Sequence, residues 1–157
     1  MGEPKTIIVG LGNPLVTDDG VGIVVARRLR QTLTDSQVEI EEAYAGGLRL
    51  MDVLVGYDRA ILVDAMVTQG GEAGTVRTLS LRDMVATRNT VSSHDTNLAL
   101  ALELGRLAGL RLPAEIALVG IEAADVSTFG ETLTHAVAEA VPQAADLVMA
   151  LLQGGEG

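Results

Sequence analysis

Four side chains have the type and setting to do chemistry. Asp18 and Asp19 stand together in the loop Gly10-Leu11-Gly12-Asn13-Pro14-Leu15-Val16-Thr17-Asp18-Asp19-Gly20-Val21-Gly22, Asp64 follows Ile61-Leu62-Val63, and His94 lies in Ser92-Ser93-His94-Asp95-Thr96-Asn97. Asp19, Asp64 and His94 together make two carboxylates and an imidazole. That is a borderline-hard donor set suited to divalent Ni, Zn, Co, Mn or Fe, and the same carboxylates can act as general bases. Each residue also has a plainer reading. One Asp of the pair can cap the helix that follows, a role worth on the order of 1 kcal/mol, and the other is then left to project into a crevice. A carboxylate ending an apolar run is costly unless it is paired, hydrogen-bonded or facing a cleft, which favours a functional role for Asp64. A lone loop histidine is more often a cap or a surface residue, and Ser93 or Asp95 can cap the next helix without His94. The other histidine, His135, is expected to be solvated.

These residues are placed by an alternation of strands and helices. Thr6 to Gly12 is a short continuous apolar run, as expected of a strand buried on both faces. Gly20 to Leu33 carries Val21, Val24, Val25 and Leu29 at helical spacing, with its arginines late, where the helix dipole favours them. Val38 to Ala43 reads as a second strand, Leu48 to Gly56 as a short helix opened by Gly46-Gly47, and Arg59 to Asp64 as a third, buried strand. A Gly-rich stretch, Gln69 to Gly74, leads to Thr75 to Leu79, whose alternation predicts a more exposed strand suited to an antiparallel edge. Ser80 to Ser93 reads as irregular or briefly helical, Asp95 to Leu110 as a long helix, Ala114 to Gly120 as a strand, and Leu133 to Leu152 as a last helix. Residues 154–157 are expected to fray. The pattern predicts an α/β protein, a three-layer sandwich around a mostly parallel twisted sheet with helices on both faces, in a single domain over 1–157. In such sheets ligands bind beyond the carboxyl ends of the strands, where all four residues fall.

Composition narrows the chemistry. With 157 residues a core forms without staples, and there is no Cys, which excludes a disulfide framework, a thiolate zinc site and a Cys nucleophile. Only 2% of residues are aromatic against 48% hydrophobic, so the core is aliphatic and few rings remain to stack bases. A net charge of −10 opposes phosphate backbones and anionic membranes. The first loop opens like a dinucleotide fingerprint, but Leu15 stands where the third Gly belongs, Pro14 removes a backbone donor, and Asp18 and Asp19 would repel a phosphate at the helix start. There is neither a GxSxG elbow nor an HExxH motif, and neither Ser92 nor Ser93 lies on a recognisable nucleophile turn. No apolar run approaches the roughly 20 residues of a membrane span, the N-terminus lacks a signal-peptide pattern, and the loose fit of Met1 to Thr6 to a myristoylation motif lacks a supporting basic patch. A cytosolic protein is expected.

Taken in order, GLGNPLVTDDGVG, the turn Tyr44-Ala45-Gly46-Gly47, VDAM with Asp64, and SSHDTNL resemble the nickel-iron hydrogenase maturation endopeptidases, over about residues 6–152. Peptidyl-tRNA hydrolases share a GLGNP-like opening, but the Thr-Arg-His-Asn sequence that follows in them is missing here. The resemblance implies removal of a C-terminal extension from a hydrogenase large-subunit precursor after nickel insertion. It implies that Asp19, Asp64 and His94 form the nickel-recognising and catalytic site, and that Gly46 and Gly47 border the substrate cleft, where bare backbone lets an extended tail approach. It further implies that nickel arrives bound to the precursor rather than being stored, with zinc or cadmium as substitutes in vitro. A noncatalytic, nickel-dependent partner or chaperone of the precursor is the competing reading, since no obvious nucleophile is present.

Overall fold

The computed structural model describes residues 4–44, 48–79 and 98–154. Gly46, Gly47 and His94 therefore lie outside the described residues, as do the segment 80–97 and the tail 155–157. The strands are β1 (Thr6–Leu11), β2 (Val38–Ala43), β3 (Arg59–Met66), β4 (Val76–Leu79) and β5 (Glu115–Glu122). The α-helices are α1 (Val21–Thr32), α2 (Leu48–Leu54), α3 (Leu98–Leu107) and α4 (His135–Gln153). The sheet order is β2-β1-β3-β5-β4. All pairings are parallel except β4 with β5, so β4 is the antiparallel edge that its alternating sequence predicts.

The central strands are apolar on both faces because both faces are covered. Ile7, Val9, Leu11, Leu62 and Leu118 pack with Leu50, Leu54 and Leu102 of α2 and α3 on one side. Ile8, Ile61, Val63, Val119 and Ile121 pack with Val21, Val25 and Leu29 of α1 and Val137, Val141 and Val148 of α4 on the other. Truncating a buried leucine such as Leu50, Leu62 or Leu102 to Ala would cost roughly 2–5 kcal/mol. The same packing carries α4 through Pro142, which lacks an N–H for the preceding turn.

Several boundaries differ from the sequence-based expectation, each for a local reason. The helix predicted to run to Leu110 ends at Leu107, because Gly109 adopts φ +93° and closes the end with bonds from Gly109 N to Arg106 O and from Leu110 N to Gly105 O, both 3.0 Å. Strand β3 continues past Asp64 to Met66, so Asp64 lies inside the strand rather than at its end. The helix expected from Gly20 begins at Val21 and is preceded by a 3-10 turn at Thr17–Gly20. Its N-cap is Gly20, so neither Asp18 nor Asp19 occupies the N-cap position of α1 that the plainer reading gave to one of them.

At the β2 edge, α1 is tied down electrostatically. Arg27 lies 3.0 Å from Glu42 and hydrogen-bonds it, Arg30 pairs with the same carboxylate, and Tyr44 Oη donates to it at 2.5 Å. Burial works to raise the Glu42 pKa, but the hydrogen bonds from Arg27, Tyr44 and Arg30 outweigh it and hold the carboxyl at about 2, below its ordinary 4.5. A depressed folded-state pKa contributes stability that is complete above 4.5 and is lost as pH falls toward 2. Because both arginines are about half exposed, Glu42→Gln should cost only about 1 kcal/mol at pH 7. Urea unfolding should show that deficit shrinking between pH 4.5 and 2; a deficit of the same size at pH 2 would refute the assignment.

Candidate functional site

The chain leaves β1 for β2 on one side of the sheet and then crosses to β3 on the other, so the strand order reverses at β1 and β3. Loops leaving the carboxyl ends of such a pair diverge, and the gap between them is where open α/β sheets place ligands. Asp19 comes from the turn after β1 and is 5% exposed. Asp64 comes from the carboxyl half of β3 and is fully buried.

Glycines bring the two segments together. Gly10 of β1 pairs with Val63, the residue before Asp64. A Cβ at Gly22 would stand 2.3 Å from Val63 O and 2.5 Å from Leu11 O. One at Gly10 would stand 2.2 Å from Gly22 O, and one at Gly12, where φ is +142°, 2.0 Å from Asp19 O. Backbone contact this close is open to glycine alone. It presses the start of α1, and the turn bearing Asp19, onto the ends of β1 and β3. The structure thus sets Asp19 and Asp64 on adjoining segments toward the carboxyl ends of the central strands β1 and β3. Asp19 also accepts a hydrogen bond from Asn13 N at 3.1 Å, which closes the loop on itself.

Asp18 points elsewhere. Fully buried, it accepts hydrogen bonds from the connection between β5 and α4. Along the same seam Thr17 N donates to Gly130 O at 2.9 Å and Gly130 N to Leu15 O at 2.8 Å, leaving Leu15 55% and Phe129 85% exposed on the rim. His135 is 88% exposed and 3.4 Å from Glu139, the solvated position expected of it.

One buried acid escaped the sequence reading. Glu122, 3% exposed at the end of β5, accepts Thr68 N at 2.8 Å and Thr68 Oγ1 at 2.6 Å. It fastens the Gly-rich loop after β3, and a Cβ at Gly71 would collide with its carboxylate. An acid closing the apolar run Ile116 to Ile121 was the available signal, of the same kind that marked Asp64.

Among the described residues, no group of three or more His, Cys, Asp or Glu side chains is arranged to hold a metal ion. The described part of the site therefore offers carboxylates alone, a hard donor set that needs a softer ligand from elsewhere to favour nickel. A cavity of about 510 Å³, lined in part by Thr6, Gln37, Asp58, Arg59 and Glu115, opens at the opposite end of the strands. Its cation is already used: Arg59 donates to the carbonyls of Leu151 and Leu152 and lies 3.5 Å from Glu115. No described helix is long and apolar enough to cross a membrane.

Comparison with known proteins places the chain among hydrogenase maturation proteases. Residues 23–151 match a family model described as hydrogenase maturation protease, a span that includes Asp64 and His94 and begins after Asp19. The chain is 29% identical over 119 residues to the hydrogenase 2 maturation protease of Escherichia coli, covering 74% of this chain and 72% of that one. It is 28% identical to the hydrogenase expression/formation protein HupD of Bradyrhizobium diazoefficiens, covering 96% of this chain and 79% of that one. The solved structure of the hydrogenase maturating endopeptidase HybD from E. coli superposes with a TM-score of 0.80 at 28% identity, over 96% of this chain and 93% of that one.

Proposed function

Because the chain belongs to the hydrogenase maturation protease family, we propose that it is the endopeptidase that removes the C-terminal extension of a nickel-iron hydrogenase large-subunit precursor, acting in the cytosol after nickel insertion. The observation that carries this reading is the pair of buried carboxylates, Asp19 and Asp64, held by glycine contacts at the reversal point between β1 and β3. His94 is the third site residue, assigned by resemblance. Gly46 and Gly47 flank the cleft on the same ground.

The substrate is a polypeptide that brings its own nickel. Nickel held partly by the precursor's thiolates accepts a hard or imidazole donor at an open position, so Asp19, Asp64 and His94 read whether the metal is present. That engagement fixes the scissile peptide beside the carboxylates and makes cleavage effectively unimolecular. The metal supplies Lewis-acid chemistry at the carbonyl or the attacking water. A carboxylate of the pair takes the water proton and returns it to the leaving amine, which gives an aspartate-dependent hydrolysis without a Cys or Ser nucleophile. Zinc or cadmium, sharing the same donors, should bind in place of nickel in vitro.

Intact mass spectrometry tests the proposal. A purified nickel-loaded precursor incubated with the protein should lose a C-terminal peptide, while the nickel-free precursor keeps its full mass. Nickel-dependent binding without any mass loss would replace the endopeptidase with a noncatalytic partner of the precursor. Cleavage of both forms alike would remove nickel as the recognition signal.

A further inference from the structure

Asp18 is fully buried, and its carboxylate receives four hydrogen bonds, from Ala124 N at 2.9 Å, Asp125 N at 3.0 Å, Thr134 Oγ1 at 2.8 Å and Thr134 N at 2.8 Å. The donors lie 106 to 116 residues away, in the loop leaving β5 and at the N-cap of α4. Three of them are backbone N–H groups, for which only an acceptor serves; an asparagine there would offer one oxygen and an NH2 group facing donors. The main chain runs along the same seam: Asp18 N donates to Asp125 O at 2.9 Å, Thr17 N to Gly130 O at 2.9 Å, and Thr17 Oγ1 to Thr128 O. Thr17 itself sits at φ +45°, a left-handed conformation that a β-branched residue keeps only where its surroundings impose it.

Resting on the reading of Asp19 as a site residue, we propose that Asp18 is a positioning residue, whose buried carboxylate locks the turn at Thr17–Gly20 to the β5–α4 connection and thereby sets the direction of Asp19. The turn is held on two sides. Toward β1, Gly12 leaves no room beside Asp19 O, and Asn13 N bonds the Asp19 carboxylate. Toward α4, the lock is Asp18. When it is lost, that side keeps only the main-chain and Thr17 hydroxyl bonds of the seam, and Asp19 swings relative to Asp64 while β3 stays where the sheet puts it. Misplacement of a reacting group by about 1 Å is worth about 100-fold in rate.

The test compares Asp18→Asn, Thr134→Val and Thr134→Ser in the full-length protein with the nickel-loaded precursor as substrate, at a temperature well below each variant's Tm. Asp18→Asn should lower kcat about 100-fold or more with KM within about threefold, since the substrate surface is untouched. Thr134→Val, which removes one of the four donors, should lower kcat about tenfold, and Thr134→Ser, which keeps the hydroxyl, should match wild type. A second readout does not depend on cleavage: the Asn13 amide, bonded to Asp19 in the wild type, should exchange at least about ten times faster in Asp18→Asn and Thr134→Val. A folded Asp18→Asn protein with wild-type kcat and an unmoved Asn13 amide overturns the proposal, because a purely structural role changes Tm alone. If Asp18→Asn does not fold, Thr134→Val decides on the same two readouts. If wild type itself cuts no precursor, the endopeptidase reading fails, and the Asn13 amide alone judges whether Asp18 positions Asp19.

Discussion

Asp64→Asn is expected to lower precursor cleavage by at least about 1,000-fold while the protein stays folded. The substitution keeps the shape of a fully buried side chain and removes its charge. A neutral amide neither accepts the water proton nor offers nickel an anionic donor, so two contributions vanish together. An amide in a buried carboxylate's place also presents donors where acceptors stood, which costs about 1–3 kcal/mol. Circular dichroism and thermal melting therefore belong beside the cleavage assay, to show that the loss exceeds any fraction unfolded. Asp19→Asn and His94→Ala should give losses of the same order if the three residues act as a unit, because removing any one member of such a unit costs nearly as much as removing all. A folded Asp64→Asn enzyme that cleaves at the wild-type rate would sink the site assignment, whatever the other two variants do.

The largest effect on stability is expected at Gly22. An added Cβ would meet Val63 O at 2.3 Å, Leu11 O at 2.5 Å and Leu11 N at 2.9 Å, all of them backbone atoms of central strands with no side-chain freedom to yield. Gly22→Ala must push α1 off β1 and β3, at a cost of at least about 3 kcal/mol. For a domain of this length that corresponds to a fall in Tm of roughly 6–12 °C. Gly130→Ala is the control, since its Cβ would find only Thr17 Oγ1, at an ordinary 3.7 Å. It should shift Tm by less than about 2 °C. Equal melting points for Gly22→Ala and wild type would mean that α1 does not rest on the strand backbones as described. The site should suffer in step with stability, because the contact that forbids a side chain at Gly22 also brings the Asp19 turn to β3.

Periodicity carried most of the architecture. Runs such as Ile7-Ile8-Val9 and Ile61-Leu62-Val63, apolar without alternation, have a stable place only between two covering layers, and β2 fell at Val38–Ala43 as its sequence indicates. The ends of elements were less legible. Ala65 and Met66 continue the apolar run, but the Asp at 64 read as its end. The helical periodicity runs on past Gly109, whose left-handed φ ends the helix. Asp19 and Asp64 stand out by type and place, whereas Glu122 ends an equally apolar strand without a neighbouring motif to mark it.

From residue types and their order alone follow the α/β class, the aliphatic core, the absence of thiol chemistry, and the candidacy of Asp19, Asp64 and His94. These depend on local periodicity and on which functional groups exist, properties that a linear chain already has. Only the tertiary structure separated the two members of the Asp18-Asp19 pair. The two are neighbours with the same side chain, and no local rule separates them. Asp18 turns to donors more than 100 residues away in the β5–α4 connection, while Asp19 stays over the ends of β1 and β3. Hydrogen bonds across that distance along the chain are settled by how the sheet is wound, which is why neither member of a pair that invites a capping role in the sequence stands at the N-cap of α1.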